Sequence, residues 1–117
     1  MKNTIKQNRE FLKCYSRGKC CVNGSIVIYA IKNSRNEEKN RFGLTAGKAV
    51  GNAVRRNRAK RLMREAFRKT APFQVTGFDM IIVARGRING KSADIVLNDF
   101  IGALKKLGLW KNEESIT

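Results

Sequence analysis

The chain has 117 residues, which suits a single domain, and its 42% hydrophobic content excludes general disorder. No apolar run approaches the roughly 18–20 residues of a membrane span. Lys and Arg number 25 against 9 Asp and Glu, a formal charge of +16, so the folded chain repels itself unless an anion is bound; nucleic acid is the first candidate and an anionic membrane surface the second.

Histidine is absent, which excludes a ribonuclease built on a histidine pair. A carboxylate nuclease with bound metal needs clustered acids, and Glu37, Glu38, Glu65, Asp79, Asp94 and Asp99 are scattered. The sequence therefore offers no catalytic residue. Cys14, Cys20 and Cys21 lack CxxC spacing and have no histidine to complete a zinc site, so no metal site is expected and the thiols read as reduced, in a cytoplasmic protein. The opening "MKNTIKQNRE" has no apolar core and does not read as a signal peptide.

In chain order, "NREFLKCYSR" predicts a short helix over 8–17, with Asn8 placed to cap it and Gly18 to end it. "CCVNGSIVIYAIK" predicts two strands joined by a turn at Asn23–Gly24. Residues 33–40 read as a polar loop and 41–46 as a strand. A long helix follows over about 52–69, then a loop punctuated by Pro72 and Gly77. The unbroken apolar run at 78–85 predicts a buried strand, and residues 86–92 a loop. Val96, Leu97, Phe100, Ile101, Leu104 and Leu107 recur at helical period over 93–107, and Gly108 stands as the stop. This order means an α+β fold with a sheet packed on helices, with the whole of 1–117 as one domain.

The helix over 52–69 carries the strongest signal. On a wheel, Ala59, Leu62, Met63, Ala66 and Phe67 share one side, while Asn57, Arg61, Arg64 and Arg68 lie opposite, flanked by Arg58 and Lys60. Arg55 and Arg56 fall near the apolar side, in the first turn. Residues 48–69 hold nine basic groups and one acid, Glu65, which can pair with Arg61 and Lys69. An ordinary solvated face mixes signs to gain i,i+4 pairs; here Arg58, Arg61, Arg64 and Arg68 repel one another, and a polyanion would relieve that. Arginine suits bidentate phosphate contact and stacking on bases. A membrane-surface helix would need bulky apolar residues free to face lipid, whereas this apolar side is needed for the core.

"GKAVGNAVRRNRAKRLMREAFR" resembles the signature of the bacterial ribonuclease P protein family: Arg56-Asn57-Arg58, then Lys60-Arg61 and Arg64, preceded by Lys48 and Gly51-Asn52-Ala53-Val54. The resemblance runs over about residues 5–107, taking in "NREFLKCYSRG", "IVIYAI", "RFGLTA" and "FDMIIVAR", and leaves a short tail at about 109–117 unmatched. It implies a compact two-layer sandwich of a small mixed sheet with helices and a left-handed βαβ crossover through the basic helix, against the usual hand. It further implies the RNA-binding protein subunit of an endoribonuclease that matures the 5′ end of precursor tRNA in the cytoplasm. In that family the catalyst is an RNA, and magnesium held mainly by RNA activates the water. By the same resemblance Lys48, Arg56, Asn57, Arg58, Lys60, Arg61, Arg64 and Arg68 face the catalytic RNA. Phe11, Tyr15 and Tyr29 line a cleft for the single-stranded 5′ leader. The partners implied are ribonuclease P RNA and the precursor tRNA leader, with no membrane and no obligate protein partner.

Residue chemistry agrees: Phe11 and Tyr15 stand i,i+4 on one helix face, and aromatic platforms bind single strands with little sequence preference. The alternative is that these rings are ordinary core residues. Arg85, closing the last strand, is also placed to reach a phosphate. Two positions depart from the family pattern: Lys48 is followed by Ala49 where a second basic residue is common, and Tyr15 stands where Phe is common. A ribosomal or RNA-chaperone protein using the same basic helix, and a nuclease acting without RNA, are the other readings.

Overall fold

The computed structural model describes residues 4–5, 8–33 and 40–111. It comprises α1 (Asn8–Arg17), β1 (Lys19–Asn23), β2 (Ile26–Lys32), β3 (Arg41–Thr45), α2 (Ala53–Thr70), β4 (Phe78–Ala84) and α3 (Ala93–Lys106), with short 3-10 turns at Ala71–Phe73 and Gly86–Ile88. The sheet order is β1-β2-β4-β3. β1 and β4 run antiparallel to β2, while β3 pairs parallel to β4, so α2 is the crossover between two parallel neighbours.

Strand alternation assigns two faces. Ile26, Ile28, Ala30, Phe42, Met80, Ile82 and Ala84 point to one side, where Ala59, Met63, Ala66 and Phe67 of α2 and Val96, Phe100, Ala103 and Leu104 of α3 complete the main core. Each large side chain fully buried there is worth about 1.5–3 kcal/mol relative to exposure. Phe67 anchors this layer, stacked on Phe42 at 4.2 Å between ring centroids and edge-on to Phe100 at 6.3 Å. On the other face, α1 is the one helix that packs among the described residues: Ile5, Cys14 and Ile81 form a small second cluster, with Phe11, Tyr29, Ile31 and Val83 partly buried around it.

The helix ends follow local chemistry. Asn52 caps α2, its side chain accepting from the Arg55 N–H. Ser92 caps α3 in the same way through the Ile95 N–H. α3 ends in a Schellman motif: Gly108 takes φ +75°, its N–H donates to Lys105 O at 3.1 Å, and the Leu109 N–H reaches Leu104 O at 2.8 Å.

Two local expectations, the hairpin turn and the α1 cap, are corrected, and the stop at Gly18 is borne out. Asn23 pairs with Ile26, so the turn residues are Gly24 and Ser25 rather than Asn23 and Gly24. Only Gly24 of the two has positive φ, the type II′ arrangement with Gly first. Asn8 is already helical, so it is not the cap. Gly18 follows α1 for want of space, since a Cβ there would lie 2.5 Å from Cys14 O and 2.9 Å from Ala30 O. The polar loop expected over 33–40 lies, except for its two end residues, outside the described residues.

Candidate nucleic-acid interface

α2 sorts its side chains as the wheel requires. Ala59, Met63, Ala66 and Phe67 are buried, and Asn57, Arg61, Arg64 and Arg68 are exposed on the far side. Arg58 and Lys60 lie half-buried on the flanks, and Lys48 is exposed in the turn before the helix. Two of these arginines also hold the fold. Arg56 Nε donates to Gly51 O at 2.7 Å, and Arg58 Nη2 donates to Lys91 O at 2.7 Å, tying α2 to the loop before α3. Glu65 pairs with Lys69 at 3.4 Å and Arg68 at 3.7 Å rather than with Arg61. That is the favourable order, with the acid N-terminal to the base, and both pairs are too exposed to add much. The first turn holds no acid while Arg55 and Arg56 sit against the positive end of the helix dipole, an arrangement a phosphate would relieve.

The second surface lies on the opposite face of the sheet. α1 projects Phe11 and Tyr15 over it, with ring centroids 6.5 Å apart, and Tyr15 meets Tyr29 of β2 edge-on at 4.8 Å. The three aromatics thus come together, and Tyr15 is 38% exposed. Burial raises both tyrosine pKa values, so both rings stay neutral well above physiological pH. Beside them the floor continues through Cys20, Val22, Val27, Val83 and Thr45, which share the face of Tyr29 by register. Val22 is 53% exposed. These floor residues were not singled out from sequence, although alternation along Val27, Tyr29 and Ile31 carries the signal.

α1 is held on this face by three devices. Arg41 lays its guanidinium across Asp79, with Nε to Oδ1 at 3.0 Å and Nη2 to Oδ2 at 2.8 Å, and Nη2 also reaches Glu10 Oε2 at 2.6 Å. These bonds to Asp79 and Glu10 hold the Arg41 pKa above its ordinary value. Cys14 is fully buried against the sheet, and burial together with the nearby Asp79 charge pushes its thiol up to about 11. Phe11 sits on Gly43. Arg85, at the other end of β4, donates through Nη1 to Gly24 O at 2.8 Å. Among the described residues, no group of three or more Cys, Asp or Glu side chains is placed to hold a metal ion.

The family model for ribonuclease P matches residues 1–108. The chain belongs to the ribonuclease P family. It is 38% identical over 115 residues to the ribonuclease P protein component of Clostridium beijerinckii, covering 94% of this chain and 92% of that one. With the ribonuclease P protein component of Clostridium kluyveri the identity is 40% over 109 residues, covering 92% and 96%. The fold superposes on the RNase P protein of Staphylococcus aureus with a TM-score of 0.80 at 28% identity, over 93% of this chain and 98% of that one. For the RNase P protein of Thermotoga maritima the TM-score is 0.78 at 27% identity, over 88% and 96%. The family's fold class is therefore the one built here, an α+β sandwich of a four-stranded mixed sheet and three helices.

As a member of the ribonuclease P family, the chain is the protein component of a tRNA-processing endoribonuclease. The stretch matched by that family model ends at the Schellman glycine of α3, and the next two residues still pack on the fold. Leu109 is buried in the main core, and Trp110 bridges to Gln74.

Proposed function

We propose that this chain clamps two RNAs on opposite faces of one sheet. The exposed row of α2, with Lys48, binds the catalytic RNA. The cleft of Phe11, Tyr15 and Tyr29 takes the single-stranded 5′ leader of precursor tRNA. The supporting observation is this arrangement itself: a cation-rich helix backed by the main core, and a cluster of three touching aromatics, partly open to solvent at Tyr15, on the face that α1 covers only in part.

Each surface suits its task. Arginine forks on α2 meet phosphates and release counterions, which gives affinity with a steep salt dependence. Stacked bases on aromatic rings gain about 1–3 kcal/mol each whatever their identity, as leaders of varied sequence require. In this reading magnesium is held mainly by the RNA and activates the attacking water. The chain's own residues add positive charge and fix the leader, so the complex works at less magnesium, in the cytoplasm. Changing Phe11 and Tyr15 together to Ala should weaken holoenzyme affinity for precursor tRNA about tenfold or more. Affinity for mature tRNA should be unchanged. Equal weakening on both substrates contradicts a leader cleft.

A further inference from the structure

Beyond the end of α2 lies an aromatic pair that neither of these surfaces uses. Phe73 and Trp110 stack with ring centroids 5.3 Å apart and planes 25° from parallel. The main chain holds them in place. The Lys111 N–H donates to Phe73 O at 2.8 Å, the Val75 N–H donates to Leu109 O at 2.7 Å, and Gln74 and Trp110 form an antiparallel bridge. The rings are therefore set before any ligand arrives, and Phe73 remains 39% exposed.

The surroundings are cationic. Lys105 Nζ stands 5.9 Å from the centre of a Trp110 ring, and Lys111 Nζ reaches Pro72 O at 3.4 Å. Arg68 and Lys69 lie in the last turn of α2, and the chain continues in the right-handed helical region through Ala71, so Phe73 follows Lys69 by about one turn. Phe73 is thus an exposed, prearranged ring about one turn beyond Lys69, on the flank of the helix that carries the basic row. Stacking surface next to positive charge is the combination that captures unpaired nucleotides.

We propose that Phe73, backed by Trp110, is a second stacking platform, taking an unpaired base of the same RNA that lies along α2. This rests on the reading that α2 binds the catalytic RNA. Trp110 is the sole tryptophan, so its emission reports on this stack. The test titrates the full chain with ribonuclease P RNA at fixed salt and magnesium, alongside Phe73→Leu, Phe73→Tyr and Arg61→Ala. Saturating RNA should quench Trp110. Phe73→Leu, which keeps apolar packing but cannot stack, should bind at least about fivefold more weakly with an unchanged salt slope, and Phe73→Tyr should bind as the parent does. Unmoved Trp110 emission at saturation, or parental affinity in Phe73→Leu, overturns the platform. The emission result decides the matter alone if Phe73→Leu does not fold. Arg61→Ala separates the two ideas: weakening there with none in Phe73→Leu removes the platform and leaves α2, and weakening in neither removes the α2 reading as well.

Discussion

Phe11 lies where a side chain on Gly43 would have to be: its Cζ is 2.6 Å from the place a Cβ would take. Gly43 stands on β3 two residues after Arg41 on the same face, and Glu10, which Arg41 grips, immediately precedes Phe11. One strand thus holds two consecutive residues of α1, one by charge and one by shape. The mouth of the aromatic cleft depends on both.

Gly43→Ala should displace the Phe11 ring. Overpacking at such a site costs about 1–3 kcal/mol, readable as a lower urea midpoint at constant slope. The same variant should lose affinity for precursor tRNA more than for mature tRNA, although residue 43 has no side chain of its own to offer RNA. Full stability and full leader affinity in Gly43→Ala would mean that the ring is not seated there.

Arg41→Gln should be the more damaging change to stability. Arg41 and Asp79 are only 12% and 14% exposed, so removing the guanidinium takes the cation from a largely buried carboxylate that keeps the Asn33 amide as a donor at 2.7 Å, at a cost of about 2–4 kcal/mol. Glu10 is 25% exposed and can turn to water, so Glu10→Gln should cost about 1 kcal/mol or less. Urea unfolding of the two variants checks the ranking, and an equal cost would contradict it.

On α2, Arg61→Ala and Arg64→Ala should leave stability within about 0.5 kcal/mol, because both side chains are exposed on the helix face turned away from the core. Each should flatten the dependence of log affinity for the catalytic RNA on log salt by roughly 0.7–0.9 for every phosphate the side chain neutralises. Arg58→Ala is a less clean probe, since it also breaks the bond to Lys91 O. An unchanged salt slope in Arg61→Ala would remove that residue from the RNA face.

Much of this was legible in the sequence where a single element decides the outcome. The α2 wheel places Ala59, Met63, Ala66 and Phe67 inside and Arg61, Arg64 and Arg68 outside because 3.6-residue periodicity is local. The same holds for the Phe11–Tyr15 spacing and for the stop at Gly108. What sequence could not give was pairing across the chain. Arg41 meets Glu10 and Asp79 across separations of 31 and 38 residues, set only by the parallel register of β3 on β4 and the seat of α1 above them. The role of Gly43 likewise depends on the ring of Phe11, on another element. The hairpin turn falls one residue later than expected because Asn-Gly and Gly-Ser are both good turn pairs, and the strand pairing chooses between them. Leu109 and Trp110 read as the start of a tail because their partners, Leu104 and Gln74, lie on other elements or at the far end of the α3 cap.

In the function proposed above, this chain acts as the RNA-binding subunit of a ribonuclease P whose chemistry belongs to RNA. The most direct test is cleavage of a 5′-extended precursor tRNA at low magnesium, with the catalytic RNA alone, the chain alone and both together. Efficient cleavage at the mature 5′ end only in the mixture is the predicted result. Cleavage by the chain alone, or no gain when it is added to the RNA, would contradict the claim.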